Sequence, residues 1–297
     1  MSLRDWAIII FIGSIWGCSF LFNAVLIREL GPIWVAAGRV SIAAIASWIF
    51  FVGMRKPLPR DPVLYLKLGL LGVFSYAIPF TLFPLSQAHI PSGLTAIING
   101  LTPIMTVIVS HFWPGGEKAR MNKALGVVAG FAGAALLASP ALGGGSGSMQ
   151  LWAIGGCLLA TLLYAVTLNV ARSFKAIDPT TIATIAITGA AIASVPVAFI
   201  TEGVPHIERL ETWLAWLALG VFSTALAFQI MYRMLPRVGA TNFASNTFIA
   251  PVVAILLGVT LLGETILPIH IAGMAVIFLG LLLIDGRAFR FLRSRPA

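Results

Sequence analysis

The sequence predicts an all-α integral membrane protein with ten transmembrane helices, arranged as two inverted five-helix repeats around a central cavity. Composition is the first observation: of 297 residues, 59% are hydrophobic and only 10% are charged, whereas an ordinary soluble domain carries roughly 25% charged residues. Ten successive apolar spans and an internal repeat are the second and third observations. This composition excludes a water-soluble protein of the same size, because a soluble surface needs far more charge.

Ten apolar segments of about the length that crosses a bilayer follow one another along the chain. They lie near residues 6–27, 33–52, 64–84, 91–113, 122–139, 151–171, 180–201, 213–234, 240–262 and 268–286. Lipid offers no partner to backbone polar groups, so these segments are expected to be helices. The alternating pattern typical of a membrane β-barrel is absent from the sequence.

The basic residues indicate how the chain is oriented. Sixteen of the 19 Lys and Arg residues fall in segments that ten spans place on one side of the membrane. They are Arg4, Arg55, Lys56, Arg60, Lys67, Lys118, Arg120, Lys123, Arg172, Lys175, Arg233, Arg237, Arg287, Arg290, Arg293 and Arg295. Arg28 and Arg209 fall on the other side. Basic loops are typically cytoplasmic, so both termini are expected in the cytoplasm, and the net charge of +9 needs no nucleic-acid partner.

An internal repeat relates the two halves of the chain. The Gly/Ser segment 143–148 separates a predicted first repeat, 1–142, from a second, 149–297. Leu71-Gly72-Val73-Phe74-Ser75 recurs as Leu219-Gly220-Val221-Phe222-Ser223, 148 residues later, and other matches recur at offsets of 146 to 148. Because five is an odd number, the second copy enters the membrane from the opposite side. Inverted repeats are typical of secondary transporters, whose site lies near the midplane at the repeat interface.

Several short motifs resemble one family of membrane proteins. They are Trp16-Gly17-Cys18-Ser19-Phe20, Arg39, Leu101-Thr102-Pro103, Ala250-Pro251, and Gly-Glu at 116–117 and 263–264. In this order they resemble the EamA type of the drug/metabolite transporter superfamily, over essentially the whole chain. Within it, the sequence is similar to bacterial aromatic amino acid exporters. The resemblance implies a transporter of the bacterial inner membrane without a cofactor or metal. A monomer or weak homodimer is expected.

Prolines inside the spans are candidate hinges. Pro103 and Pro251 lie near the centres of spans four and nine, and Pro79 lies in span three. A proline cannot donate to the carbonyl four residues earlier, which frees the carbonyls of Asn99 and Thr247. The bent helices are predicted to form cavity walls and flexing points. The alternative is a kink that only improves packing.

Polar and aromatic side chains inside the spans are the candidate substrate contacts. They are Trp16, Arg39, Tyr76, Asn99, Tyr164, Gln229, Tyr232, Asn246 and Thr247. For the amides the competing role is hydrogen bonding between helices, and for the aromatic residues it is plain packing. Arg39 is the ionised group that lies well inside a span, and it requires a partner or a wet cavity. A substrate carboxylate would serve, although capping of backbone carbonyls and snorkelling remain open.

The acids limit the mechanism. All ten Asp and Glu residues fall at span ends or in loops, which disfavours antiport of cationic drugs through a buried carboxylate. With the aromatic and amide candidates and the resemblance, this predicts a secondary transporter or exporter of small metabolites, above all large neutral and aromatic amino acids, working by alternating access and by uniport down the substrate gradient. A proton-coupled multidrug or other metabolite exporter is the alternative, and a nucleotide-sugar carrier or lipid flippase is disfavoured. No catalytic or metal-binding motif suggests an enzyme.

Overall fold

The computed structural model describes residues 2–143, 147–174, 176–238, 243 and 246–285, and this part of the chain consists of helices joined by turns and loops, without strands. Eight helices are long and apolar enough to cross a membrane, and two further apolar helices are shorter. The eight are α1 (Leu3–Leu26), α2 (Pro32–Gly53), α3 (Pro62–Gln87), α4 (Ser92–Phe112), α5 (Met121–Ala138), α6 (Gly147–Ala171), α7 (Pro179–Glu202) and α8. Helix α8 has three consecutive parts, Leu210–Leu217, Ala218–Leu226 and Ala227–Val238. The shorter two are α9 (Asn246–Leu262) and α10 (Pro268–Asp285).

The helices lie on the predicted apolar spans to within a few residues, and the prediction of a helical membrane protein is confirmed. The predicted start of the ninth span at 240 and residues 144–146 of the Gly/Ser segment lie outside the described residues.

Helix starts follow local sequence signals. The Ser2 hydroxyl and the Asp5 carboxylate form a reciprocal cap at the start of α1, which satisfies backbone N–H groups that a helix leaves free. Asp61 and Asp178 cap α3 and α7 with their side chains. Pro62 and Pro179 follow these caps at the first helical position, where a missing N–H is harmless.

Packing partners recur with a shift of five helices. α1 packs on α8 and α9, while α6 packs on α3 and α4. α2 packs on α7 and α8, while α7 packs on α2 and α3. α4 packs on α9, and α5 packs on α10. Exchanging each helix with the one five positions along leaves this set of contacts unchanged.

Small residues allow the closest of these contacts. Between α5 and α10, a Cβ added to Gly126 would lie 2.5 Å from the Gly280 carbonyl oxygen, and one added to Gly133 would lie 2.8 Å from the Gly273 oxygen. Membrane helices pack through small residues because lipid supplies no hydrophobic force between helices. Glycine at these positions therefore sets the distance between the two backbones.

Candidate functional site

Arg39 is buried where α2 crosses α8. Its side chain is 6% exposed, and its Nε donates a 2.9 Å hydrogen bond to Oγ1 of Thr224. The guanidinium carbon lies 3.5 Å from the centroid of the Phe80 ring, a cation–π contact. No ion pair between described residues includes Arg39. The cation is thus held by a hydroxyl and a ring face, without a carboxylate to neutralise it.

Aromatic rings continue from this contact across three helices. Tyr76 lies 5.7 Å from Phe80 and 5.2 Å from Phe228, between ring centroids. Trp16 lies 5.9 Å from Phe228. Together with Arg39, these four aromatic residues of α1, α3 and α8 are called the Arg39 cluster below.

Tyr164 of α6 extends the same group of aromatic residues. It packs against the buried cluster that contains Tyr76 and Phe80, and its ring centroid lies 6.1 Å from that of Phe83. Phe83 packs in turn on Phe20, at 5.9 Å. Trp16, Arg39, Tyr76 and Tyr164, predicted separately from sequence, are therefore brought into one region of the bundle.

Both helices that flank Arg39 contain a π-helical segment. Val73–Ala77 is π-helical in α3 and includes Tyr76, and Ala218–Leu226 is π-helical in α8 and includes Thr224. The Thr224 hydroxyl donates to the Leu219 carbonyl five residues earlier, 2.9 Å away. π-helical turns are rare and are frequent at functional sites. Both segments overlap the repeated Leu-Gly-Val-Phe-Ser motif, so the two copies share this local distortion.

The two π-helical segments sit on repeat-related crossings. A Cβ added to Gly220 would lie 3.1 Å from the Arg39 carbonyl oxygen. A Cβ added to Gly72 would lie 1.7 Å from the Ala186 carbonyl oxygen. Gly72 and Gly220 are 148 residues apart, and Arg39 and Ala186 are 147 apart, as in the repeat. The crossings therefore share a backbone arrangement, but only one carries the cation.

The three candidate hinge prolines differ in how regular the helix around them is. α4 is interrupted at Gly100 and Leu101 and resumes at Thr102, one residue before Pro103. Pro79 follows the π-helical segment of α3, whereas Pro251 lies inside the uninterrupted helix α9. A Cβ added to Gly100 would lie 3.6 Å from the Pro251 ring, so the interruption in α4 faces this proline.

The remaining candidates lie apart from the Arg39 cluster or at its margin. The Asn99 carbonyl, freed by Pro103, accepts 2.7 Å from the Thr102 hydroxyl, and Asn99 Oδ1 is buried without a partner among the described residues. Asn246 donates 2.7 Å to the carbonyl of Phe243. Phe243 in turn packs on Trp16, at 6.1 Å.

Gln229 and Thr247 are two candidates that do not belong to the Arg39 cluster. Gln229 accepts 3.2 Å from the Thr180 hydroxyl at the start of α7, an interhelical contact outside the cluster. Thr247 is half-buried in α9. The side chain of Tyr232 lies outside the described residues.

Sequence analysis missed Phe80 and Thr224, which contact Arg39, and Phe228, which packs on Tyr76 and Trp16. The repeat offers a signal that could have found them. Phe80 and Phe228 are 148 residues apart, as are Tyr76 and Thr224. Applying the repeat offset to Tyr76, a predicted candidate, would have singled out Thr224.

Comparison with known families decides the classification. The sequence profile of the EamA-like transporter family matches the chain twice, at residues 5–139 and 151–285. The chain belongs to the EamA-like transporter family. The predicted resemblance is confirmed, and the chain is a multi-pass integral membrane protein.

Individual relatives of this EamA-family protein are distant but span most of its length. The "Uncharacterized inner membrane transporter YedA" of Escherichia coli is 25% identical, over 91% of this chain and 87% of the relative. The "Probable amino-acid metabolite efflux pump" of Salmonella typhimurium is 25% identical, over 95% and 94%. "Protein PecM" of Dickeya dadantii is 23% identical, over 96% and 93%. A crystal structure with 20% identity superposes with a TM-score of 0.70, covering 98% of this chain and 99% of that one, and it shows a shared fold.

At one end of the EamA-family bundle, acidic side chains accept hydrogen bonds from the first residues of neighbouring helices. We call this the low-charge end, and it holds loops 27–31, 88–91, 203–209 and 263–267. The Glu202 carboxylate accepts from the N–H groups of Ile33 and Trp34, at 3.0 and 2.9 Å. Glu264 accepts from Ser92 N–H at 2.8 Å and from its hydroxyl at 2.9 Å. Carboxylates at helix N-termini are stabilising, so both contacts fasten one helix to another.

The opposite end, which we call the basic end, holds loops 54–61, 113–120 and 172–178. Lys56 Nζ lies 2.7 Å from Asp178 Oδ2 and so links the end of α2 to the start of α7. Burial acts to raise the pKa of Asp178, but hydrogen bonds from Lys56 and from the Thr181 N–H outweigh it, and the net pKa lies below its ordinary value. Both ends of the α2–α7 pair are thus fastened by carboxylates.

Proposed function

We propose that this EamA-family transporter exports small zwitterionic metabolites, most favourably large neutral and aromatic amino acids. The observation that carries the proposal is the buried Arg39 guanidinium, which lies on Phe80 and forms no ion pair among the described residues. An ionised side chain inside a membrane bundle marks a functional site when no protein partner neutralises it. A substrate carboxylate supplies the missing charge.

Guanidinium and carboxylate are well matched in geometry. The planar guanidinium presents parallel N–H donors that a carboxylate accepts in pairs. Only Nε of Arg39 is bonded within the described part of the chain, to Thr224. The terminal nitrogens are the donors we assign to the substrate.

The rings of the Arg39 cluster favour an apolar, aromatic substrate side chain. Aromatic pairs add about 0.5–1.5 kcal/mol beyond the area they bury, which corresponds to at most about a tenfold preference. Selectivity is therefore expected to be broad among large neutral amino acids. The relative named an amino-acid metabolite efflux pump supports this substrate class.

We assign the transport mechanism to alternating access between two inverted repeats, 1–142 and 149–297, with ten transmembrane helices and both termini in the cytoplasm. Two findings support this arrangement: the family profile matches twice, and the helix contacts repeat with a shift of five. The membrane is the bacterial inner membrane, as in the name of the Escherichia coli relative. Because the Arg39 cluster contains no carboxylate, we assign uniport down the substrate gradient rather than proton exchange.

Uptake into vesicles reconstituted with the full chain tests the substrate class. Phenylalanine, tryptophan and tyrosine are expected to compete with labelled phenylalanine more strongly than glycine or aspartate does, without an imposed pH gradient. A cationic dye is expected not to compete. Strong competition by the dye alone, or a strict requirement for a proton gradient, would replace the proposal by proton-coupled multidrug export.

A further inference from the structure

A buried pair of amides joins the ends of α1 and α3 at the low-charge end. Asn23 Nδ2 donates to Gln87 Oε1 at 3.1 Å, and Gln87 Nε2 donates to the Phe20 carbonyl at 2.8 Å. Both amide side chains are buried. Amide side chains that hydrogen-bond across helices hold membrane helices together. Asn23 and Gln87, which we call the amide latch, therefore join α1 to α3 at this end.

The preceding residue of α3 joins a third helix at the same end. Ser86 is fully buried, and its hydroxyl donates to the Ala153 carbonyl of α6 at 2.8 Å. A Cβ added to Gly156, about one turn further along α6, would lie 3.0 Å from the same hydroxyl oxygen. The end of α3 is thus hydrogen-bonded to the first helix of each repeat, to α1 through Gln87 and to α6 through Ser86.

The repeat changes one member of the amide latch in the second copy. Asn169 is the repeat mate of Asn23, 146 residues later. At the offset of 148 that relates α3 to α8, the mate of Gln87 is Leu235. A leucine side chain forms no hydrogen bonds, so the second copy cannot form the same amide pair at the basic end.

Asn169 forms its hydrogen bonds on other helices instead. Among the described residues, its Oδ1 accepts from the Ser110 hydroxyl of α4 at 3.1 Å and from Arg172 Nη1 at 3.2 Å, and its Nδ2 donates to the Ala165 carbonyl at 2.9 Å. Contact between α6 and α3 is concentrated in the half of α3 that ends at Gln87. The helices of this structure therefore converge at the low-charge end, and α6 diverges from α3 toward the basic end.

The inverted repeat relates the two ends. In alternating access, inverted repeats move against each other around a fixed site, and by their symmetry they exchange conformations between the two states. The arrangement of α1 with α3 in one state thus corresponds to that of α6 with α8 in the other. Opening the low-charge end breaks the amide latch, whereas opening the basic end breaks no such pair, since Leu235 stands in place of Gln87.

We propose that the amide latch closes the outer gate and makes the inward-open state the resting state of this transporter. The low-charge end faces away from the cytoplasm in the orientation proposed above. Hydrogen bonds that form in one state only shift the equilibrium toward that state. An inward-open resting state suits an exporter, which collects its substrate from the cytoplasm. The inference rests on the alternating-access mechanism and orientation proposed above, but not on the substrate class.

Distances between two pairs of spin labels, measured by double electron–electron resonance on the purified full chain without substrate, test the amide latch. Arg28→Cys and Ala88→Cys place the outer pair just after α1 and α3, at exposed positions of the low-charge end. Ser173→Cys and Arg233→Cys place the inner pair at exposed positions near the basic ends of α6 and α8. The two native cysteines are changed to alanine. With the latch intact, we expect the major distance of each pair to match this structure.

Gln87→Leu removes the amide and introduces the residue that the second repeat carries. The outward-open population is expected to rise by roughly tenfold or more relative to the inward-open one, because two hydrogen bonds are lost. The outer distance should lengthen while the inner distance shortens. Asn23→Leu should act in the same direction, and the double variant should shift the populations little beyond Gln87→Leu, because both changes remove one contact. Gln150→Leu, at a half-buried glutamine of the same end, is the control and should change neither distance.

Three results would overturn the proposal. The first is an outward-open major population while the latch is intact. The second is an unchanged pair of distances in Gln87→Leu, or in Asn23→Leu if Gln87→Leu does not fold. The third is a longer outer distance without a shorter inner one, which would indicate local loosening of the low-charge end. Because no substrate is added, failure of amino acids to compete for transport would refute the substrate class and leave these distances as the test of the latch.

Discussion

The crossing of α2 with α8 and the crossing of α7 with α3 are built alike but differ in charge. In both, a glycine of the repeated motif packs against a backbone carbonyl, Gly220 against Arg39 and Gly72 against Ala186. Both include a π-helical segment. The repeat thus preserves the backbone that brings the helices together, while the chemistry is placed in one copy only.

The difference between the two crossings would give the bundle the single substrate site proposed above. Thr224 accepts a hydrogen bond from Arg39, and its repeat mate Tyr76 instead supplies a ring. A symmetric site would present two cations to a zwitterion with one carboxylate. One arginine beside aromatic rings suits a single carboxylate joined to an apolar side chain.

Removal of the charge is expected to have the largest effect. Arg39→Gln should lower the transport rate of phenylalanine at limiting concentration by roughly 10–100-fold, because hydrogen bonds to charged groups contribute about 1.5–3 kcal/mol. Initial uptake rates in reconstituted vesicles measure it. Arg28→Gln, at an exposed arginine of the low-charge end, is the matched control and should transport normally. Normal transport by Arg39→Gln would show that the cation at the crossing of α2 with α8 has no role in transport.

The glycines of the two crossings are expected to differ in their tolerance of a methyl group. Gly72→Ala should lower thermal stability more than Gly220→Ala, because its Cβ would meet the backbone of Ala186 at 1.7 Å. At Gly220 the nearest atoms are side-chain atoms of Ile42, at 2.6 Å. Overpacking typically costs about 1–3 kcal/mol.

Thermal unfolding of the purified variants in detergent measures the order. Gly155→Ala has no atom within 4 Å of the added Cβ and should match the wild type. An equal loss at Gly155 and Gly72 would show that close approach of the backbones is not what sets stability here.

Thr224→Val is expected to have a smaller effect on transport than loss of Arg39. The variant removes the acceptor of the Arg39 Nε hydrogen bond and leaves the charge in place. A loss of about threefold to tenfold is expected in phenylalanine uptake, below the range for losing a hydrogen bond to a charged group, because Arg39 keeps its charge and loses only one orienting contact. Thr201→Val, at an exposed threonine of α7, is the control. A loss as large as that of Arg39→Gln would mean that Thr224 contacts the substrate itself.

The smallest effect is expected from loss of the ion pair between Lys56 and Asp178, which links α2 to α7 at the basic end. The folded pKa of Asp178 lies below its ordinary value of 3.8, so its ionised form stabilises the fold above that value. This contribution is lost as pH falls through the lower, folded pKa. In Lys56→Gln, the free energy of unfolding should fall less between about pH 5 and 3 than it does in the wild type. The difference should be under about 1 kcal/mol, since the pair is partly exposed. Acid unfolding followed by circular dichroism measures it, and an unchanged pH profile would contradict it.

Much of the architecture could be predicted from sequence because lipid imposes strong rules. The apolar spans and the family resemblance led to helices that the structure places within a few residues of the prediction. Arg39, Trp16, Tyr76 and Tyr164 stood out because charged and amphipathic side chains are rare at mid-span. Phe80 did not stand out, because it is one of 19 phenylalanines, and only the cation above its ring distinguishes it.

Gln229 shows that counting residues along a span does not predict which neighbours a side chain contacts. Its position suggested mid-depth, but α8 contains the π-helical segment Ala218–Leu226 and continues to Val238. Each π-turn changes the register of the side chains that follow it. Gln229 follows this segment and accepts a hydrogen bond from Thr180 at the start of α7. Nothing in the sequence of one span encodes this shift, since it depends on packing against neighbouring helices.

Competition by phenylalanine and by phenethylamine, its analogue without the carboxylate, tests most directly whether Arg39 binds the substrate carboxylate. Both ligands are compared in wild type and in Arg39→Gln, as inhibitors of labelled tryptophan uptake. The wild type is expected to prefer phenylalanine by at least tenfold, and Arg39→Gln is expected to bind the two ligands about equally. The same preference in both proteins would show that Arg39 does not bind the carboxylate and would contradict the proposed role of the Arg39 cluster.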